Sequence, residues 1–160
     1  LGIEVARPVR VQGTALFMPP SNDSLPPSLV HNLKHNKVLH SQNILLCVET
    51  SSIPRADKEE RYSFVELGSG FSRLTLRYGY MEDPDVPKAL KQWNIPGLVL
   101  DPMDTTYFAS REALIAKADQ GMVLWRDKLF LFMSRNATPA TEFFGIPGER
   151  LVELGTKVII

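Results

Sequence analysis

Apolar positions in this chain fall into two kinds of run. "GTALFM" at 13–18 and "NILLCVET" at 43–50 are short and almost wholly apolar, the pattern of strands covered on both faces. Between them Pro19, Pro20, Pro26 and Pro27 bracket a turn. Ser24 or its neighbours can cap a helix that begins near the second proline pair, because proline is tolerated in a first helical turn. The spacing predicts that helix over 26–37, and the chain opens as a βαβ crossover with an expected right-handed connection. The middle alternates instead. "RYSFVEL" and "FSRLTLRYGYM" flank "GSG" at 68–70, and in the second run Phe71, Arg73, Thr75 and Arg77 alternate with Ser72, Leu74, Leu76 and Tyr78, which predicts a hairpin with one covered face.

"DVPKALKQWN" has a helical pattern through Val86, Leu90 and Trp93, led by Asp83 and Asp85, which suit a helix N-terminus. "TTYFASRE" is β-branched and aromatic and predicts a strand. "GMVLWRDKLFLFMSRNA" spaces Val123, Leu124, Leu129, Phe132 and Met133 as a helix does, with Asn136 near its end. "TEFFGIPGERLVELGTKVII" closes with a short helical turn and a strand. The order predicts an α/β fold: a single domain over 1–160 with one mixed β-sheet, a βαβ start and a central β-hairpin, covered by helices.

At 160 residues the chain suits one core. Lys plus Arg equals Asp plus Glu at 18 each, so no overall field draws it to a nucleic-acid polymer or to anionic lipid, and only local patches remain. Cys47, the single cysteine, lies inside "ILLCV". There a thiol acts as a small hydrophobe, which leaves no intramolecular disulfide and fits a reducing compartment. No apolar run approaches the roughly 20 residues that cross a bilayer, and "LGIEVARPVRV" lacks the apolar centre of a signal peptide. The expectation is a soluble polypeptide that is a fragment of a longer chain, although a purified domain or a trimmed mature protein would begin the same way.

All three histidines, His31, His35 and His40, fall within "LVHNLKHNKVLH" at 29–40. On a helix His31 and His35 share a face and could bridge a zinc ion, but a further ligand is needed, and the zincin pattern has Glu where Asn32 stands. Leu29, Val30 and Leu33 are expected to form the buried face, leaving a solvated polar side. His40 is expected in the turn before "NILLCV", bonded to backbone carbonyls. Phosphate binding at the first strand–helix loop is disfavoured, because its prolines donate no N–H and it has no glycine; "GSGFSR" fails the dinucleotide fingerprint at its last glycine. Glu82, Asp83 and Asp85, and Asp101 and Asp104, could pair for acid–base hydrolysis. Both groups flank proline before an element, where carboxylates cap and brace turns. No serine elbow is present. Arg126, Lys128 and Arg135 with Trp125, Phe130 and Phe132 could lie on a membrane, but are expected to pack on the sheet with their basic stems at its border.

"RPVRVQGTALFM", "HNLKHNKVLH", "RYGYMEDPDVPKAL", "MDTTYFASRE", "WRDKLFLFMSRNA" and "EFFGIPGERLVELGTKVII" occur in this order along nearly the whole chain. With these motifs the chain resembles the C-terminal cytosolic domain of the Kup family of bacterial potassium uptake transporters. The resemblance implies a transmembrane domain of the same polypeptide that moves K⁺ inward with protons, and places this piece on the cytoplasmic face of the plasma (inner) membrane. It implies no ion-coordinating, catalytic or metal-binding residue here, and no cofactor. The chain then reads as a regulatory or assembly domain; a module sensing cyclic di-AMP, which represses uptake in some related transporter groups, is the alternative, and a small enzyme a further one. On this reading Asn32 and Asn36 bond neighbouring backbone, while His31, Lys34, His35 and Lys37 offer contacts to a partner, either a second copy in a homodimer or the membrane domain. "TTYFASRE", "KVII" and the hairpin would offer sheet edges for pairing.

Overall fold

The computed structural model describes residues 8–19, 24–115 and 144–159. Six strands build one sheet: β1 (Val9–Phe17), β2 (Val38–Ser51), β3 (Tyr62–Gly68), β4 (Phe71–Gly79), β5 (Thr105–Ile115) and β6 (Leu151–Ile159). Their spatial order is β3-β4-β2-β1-β5-β6. β3 runs antiparallel to β4, and the other neighbours are parallel. The two most apolar runs, in β1 and β2, lie inside the sheet, where both faces are covered. α1 (Pro27–His31) joins β1 to β2, and α2 (Val86–Gln92) follows β4.

Alternation along the strands divides the core in two. Leu16, Ile44, Leu46, Leu74 and Leu76 point to one face, against Val86 and Ala89 of α2 and Ile146. Ala15, Phe17, Leu45 and Phe108 point to the other, against Leu29 of α1, and the Phe17 and Phe108 rings stack at 4.8 Å. Leu16, Phe17, Leu74 and Leu76 are fully buried; burial of each such side chain contributes about 1.5–3 kcal/mol.

Several expectations are corrected. β2 begins at Val38 rather than at 43, because the polar stretch before "NILLCV" is recruited by pairing with the start of β1, Val9 to Val38 and Val11 to His40. His40 is therefore a strand residue, not a turn residue. The helix expected over 26–37 is α1 followed by one π-helical turn, Asn32–Asn36, which ends where Lys37 adopts a left-handed φ of 56°. β5, expected as a possible edge, lies between β1 and β6; the edges among the described strands are β3 and β6. The helix expected over 121–137 lies outside the described residues.

Other elements agree with the pattern. "GSG" forms the β3–β4 turn with Gly68, Ser69 and Gly70 all at positive φ, the region a tight hairpin needs. Asp85 caps α2 by accepting from the Lys88 amide at 3.0 Å, and Asp101 accepts from the Met103 amide at 2.9 Å. The closing segment supplies a 3-10 turn, Gly148–Arg150, and then β6.

Candidate functional site

The stretch 31–37 has an inner and an outer side. Asn32 is buried, donates from Nδ2 to the Val38 carbonyl at 2.9 Å, and accepts from Asn36 Nδ2 at 2.9 Å. Its own carbonyl accepts from the Lys37 amide at 3.1 Å, the bond that closes the π turn. Asn32 thereby fixes the passage from helix to β2, and the expected bonding to neighbouring backbone is found there; Asn36 instead bonds the Asn32 side chain. The outer side carries His31, Lys34, His35 and Lys37, the last three exposed. The rings of His31 and His35 stack at 5.9 Å with 10° between their planes, as side chains one helical turn apart can. Among the described residues no three His, Cys, Asp or Glu side chains are grouped to hold a metal ion.

The structure corrects the apolar face of this helix. Leu29 is buried and Leu33 packs on the same core, but Val30 is 46% exposed, and Leu25, just before the helix, 53%. At 3.6 residues per turn Val30 lies about a quarter turn round from Leu29, which carries it toward solvent. His40 stands apart from the other two histidines: its ring meets the edge of Phe108 at 5.9 Å, and burial pushes its pKa down against the pull of Asp104.

A second constellation escaped the sequence reading. Arg61, Tyr78, Glu82, Asp83, Asp85, Lys88 and Trp93 are among the residues around a pocket of about 170 Å³. The Arg61 guanidinium lies 5.4 Å from the Trp93 ring centre and donates to Glu82 Oε1 at 2.8 Å. Glu82 Oε2 accepts from the amides of Gly79 at 2.7 Å and Ala56 at 3.1 Å. These bonds, led by the Gly79 amide, hold the Glu82 carboxyl below its usual pKa. Tyr78 donates to the Asp85 carbonyl at 3.2 Å and packs on Trp93; burial pushes its phenol up to about 12. Glu82 and Asp85 thus brace and cap, the role expected of this acidic group. The acidic cluster, its prolines and Trp93 at the end of the helix that Asp85 caps were visible in the sequence, whereas Arg61 reaches the site from the connection before β3.

Cys47 and the loop between the first strand and helix can also be located. Cys47 is 5% exposed, and burial pushes its thiol up, away from the thiolate a nucleophile needs. The strand order reverses between β1 and β5, where open α/β sheets collect ligands, yet the amides of Leu29 and Val30 in α1 both donate to the Pro26 carbonyl rather than outward.

Comparison with known proteins adds the context that geometry leaves open. Residues 12–160 match the family described as the K+ potassium transporter C-terminal domain. The chain is 54% identical over 160 residues to a probable potassium transport system protein Kup of Xanthomonas euvesicatoria pv. vesicatoria, covering 99% of the chain and 25% of that relative. It is 52% identical over 160 residues to the protein of the same name in Xylella fastidiosa strain Temecula1, with the same coverage. With that of Zymomonas mobilis subsp. mobilis the identity is 48% over 153 residues, 96% of the chain and 24% of the relative. The chain spans about a quarter of the length of these curated relatives. No solved structure matches it. A family match over all but the first eleven residues, with about half the positions identical to proteins named for potassium transport, leads to one conclusion: the chain belongs to the family of potassium transporter C-terminal domains.

Proposed function

We propose that this chain is the cytosolic regulatory and assembly domain of a proton-coupled K⁺ uptake transporter, with the ion path in a transmembrane domain of the same polypeptide. The observation that carries the reading is coverage: the relatives are about four times longer and named as transport proteins, and this chain aligns with one quarter of them. One structural feature supports it: several of the polar groups that the sequence singled out are engaged in folding, with Asn32 holding the start of β2, Glu82 bracing two amides and Asp85 capping α2, while Lys34, His35 and Lys37 remain exposed. Among the described residues no helix is long and apolar enough to cross a membrane. In this role the chain performs no bond-making chemistry and acts through the surfaces it presents.

The test is deletion of this chain from the full transporter, expressed in cells that lack other K⁺ uptake and assayed with Rb⁺ as tracer. Uptake that changes several-fold at equal membrane abundance is the expected result. Unchanged uptake would refute a regulatory or assembly role.

A further inference from the structure

From Ser24 to Val48 the chain has no aspartate or glutamate, although acidic and basic residues are balanced overall. This 25-residue run holds all three histidines together with Lys34 and Lys37. The fold sorts the run by side. Leu29 and Asn32 go inward, while Lys34, His35 and Lys37 stay in solvent and His31 stacks against His35. Val30, one turn before Lys34, is 46% exposed, and Leu25, just before the helix, 53%. Basic groups mixed with exposed aliphatic ones, in a stretch of sequence without acids, match an anionic lipid surface: cations meet headgroup phosphates and short aliphatic side chains enter the boundary beneath.

We propose that Leu25, Val30, His31, Lys34, His35 and Lys37 form a surface that docks this domain on the anionic leaflet beside its transmembrane part. This rests on reading the chain as the cytosolic part of a membrane transporter. Two lysines give weak attraction to a bilayer from free solution. They suffice when the domain is covalently tethered near the membrane, because the tether supplies a high effective concentration. The charge is also local, which reconciles the surface with a neutral molecule: at about 0.1 M salt the field of each charge extends only ~10 Å, so only acids within that distance weaken it.

The test is co-sedimentation of the 160-residue chain with phosphatidylglycerol-rich vesicles and with pure phosphatidylcholine vesicles, read as partition coefficients so that weak binding is measurable. Partition into the anionic vesicles is expected to exceed that into neutral ones by at least about tenfold. It should disappear at about 1 M salt, where screening shortens to ~3 Å. K34E/K37E should abolish the preference, and V30S should weaken it several-fold. K34Q/K37Q serves as the milder pair if the charge reversal disturbs the far-UV circular dichroism spectrum. Equal partition into both vesicle types, or a preference that survives loss of both lysines, overturns the proposal. A concentration-dependent dimer in sedimentation velocity that K34E/K37E dissociates would assign the surface to a second copy and overturn it as well. Failure here leaves the deletion test of the proposed function standing, while vesicle binding with unchanged Rb⁺ uptake would remove the role and keep the surface.

Discussion

Replacing Glu82 by alanine removes the acceptor for three donors at once: the amides of Gly79 and Ala56 and the Arg61 guanidinium. Gly79 ends β4, and Ala56 and Arg61 lie in and beside the connection before β3, so one carboxylate ties two loops together. A buried amide left without a partner costs about 1–3 kcal/mol, and hydrogen bonds to charged groups sit at the upper end of the usual range. The Glu82 side chain is 16% exposed, so water can partly replace it, and the Arg61 pair, at 23% exposure, adds little. The expected loss is about 3 kcal/mol, which for a chain of this length lowers Tm by roughly 6–12 °C. E82Q keeps one oxygen for the two amides but turns an NH₂ toward Arg61, so it should lose about 1 kcal/mol. Urea unfolding followed by far-UV circular dichroism measures both. Because the folded carboxyl titrates below its ordinary value, the unfolded chain binds more protons in the interval between the two. The contribution is complete above the ordinary carboxylate range and is lost as pH falls through the lowered pKa. The gap between wild type and E82A should therefore narrow as pH drops below about 4. An E82A loss under about 0.5 kcal/mol at pH 7, or a gap that widens in acid, would refute the bracing role.

Other substitutions probe separate joints of the fold. A Cβ added at Gly79 would lie 2.2 Å from the Pro54 carbonyl oxygen, a backbone atom that cannot swing away, so G79A should cost at least about 2 kcal/mol in the same assay. N32A leaves the Val38 carbonyl without its side-chain donor and should cost about 2 kcal/mol, whereas H31A/H35A should stay within about 0.5 kcal/mol of wild type. Cys47, buried and with its thiol pushed up, should react with a thiol reagent on the order of a hundredfold more slowly in the native chain than in urea; rapid native labelling would contradict its placement in the sheet.

The sequence revealed those elements whose signals are local. The apolar runs of β1 and β2, the "GSG" turn and the Asp85 cap each depend on a few adjacent residues, and each marks an element that is found, although β1 starts at Val9 and β2 at Val38, ahead of their apolar runs. What escaped depends on pairing across the fold. "VLHSQ" before "NILLCV" reads as polar and becomes strand only because β1 lies beside it. Val30 looked buried by helical spacing, but the α-helix ends one residue later and the chain passes into a π turn. The Arg61, Glu82 and Trp93 group could not be seen, since its members are brought together by the β3–β4 hairpin and α2, although the acidic cluster did signal a braced turn. The two histidines invited a metal reading; on the fold they stack beside lysines, with Asn32 between them in sequence turned inward to hold β2.

As proposed above, ion binding lies in a transmembrane domain of the same polypeptide and control of transport in this one. Reconstitution of the full transporter and of a variant lacking this chain into proteoliposomes, with K⁺ uptake measured across a range of K⁺ concentrations, tests it most directly. The account predicts that the variant keeps its KM for K⁺ within about twofold while its maximal rate changes several-fold, as expected when a remote element alters turnover but not ground-state binding. A KM raised tenfold or more would place ion-binding groups in this chain, and an unchanged KM and rate would leave it without influence on transport; either result contradicts the account.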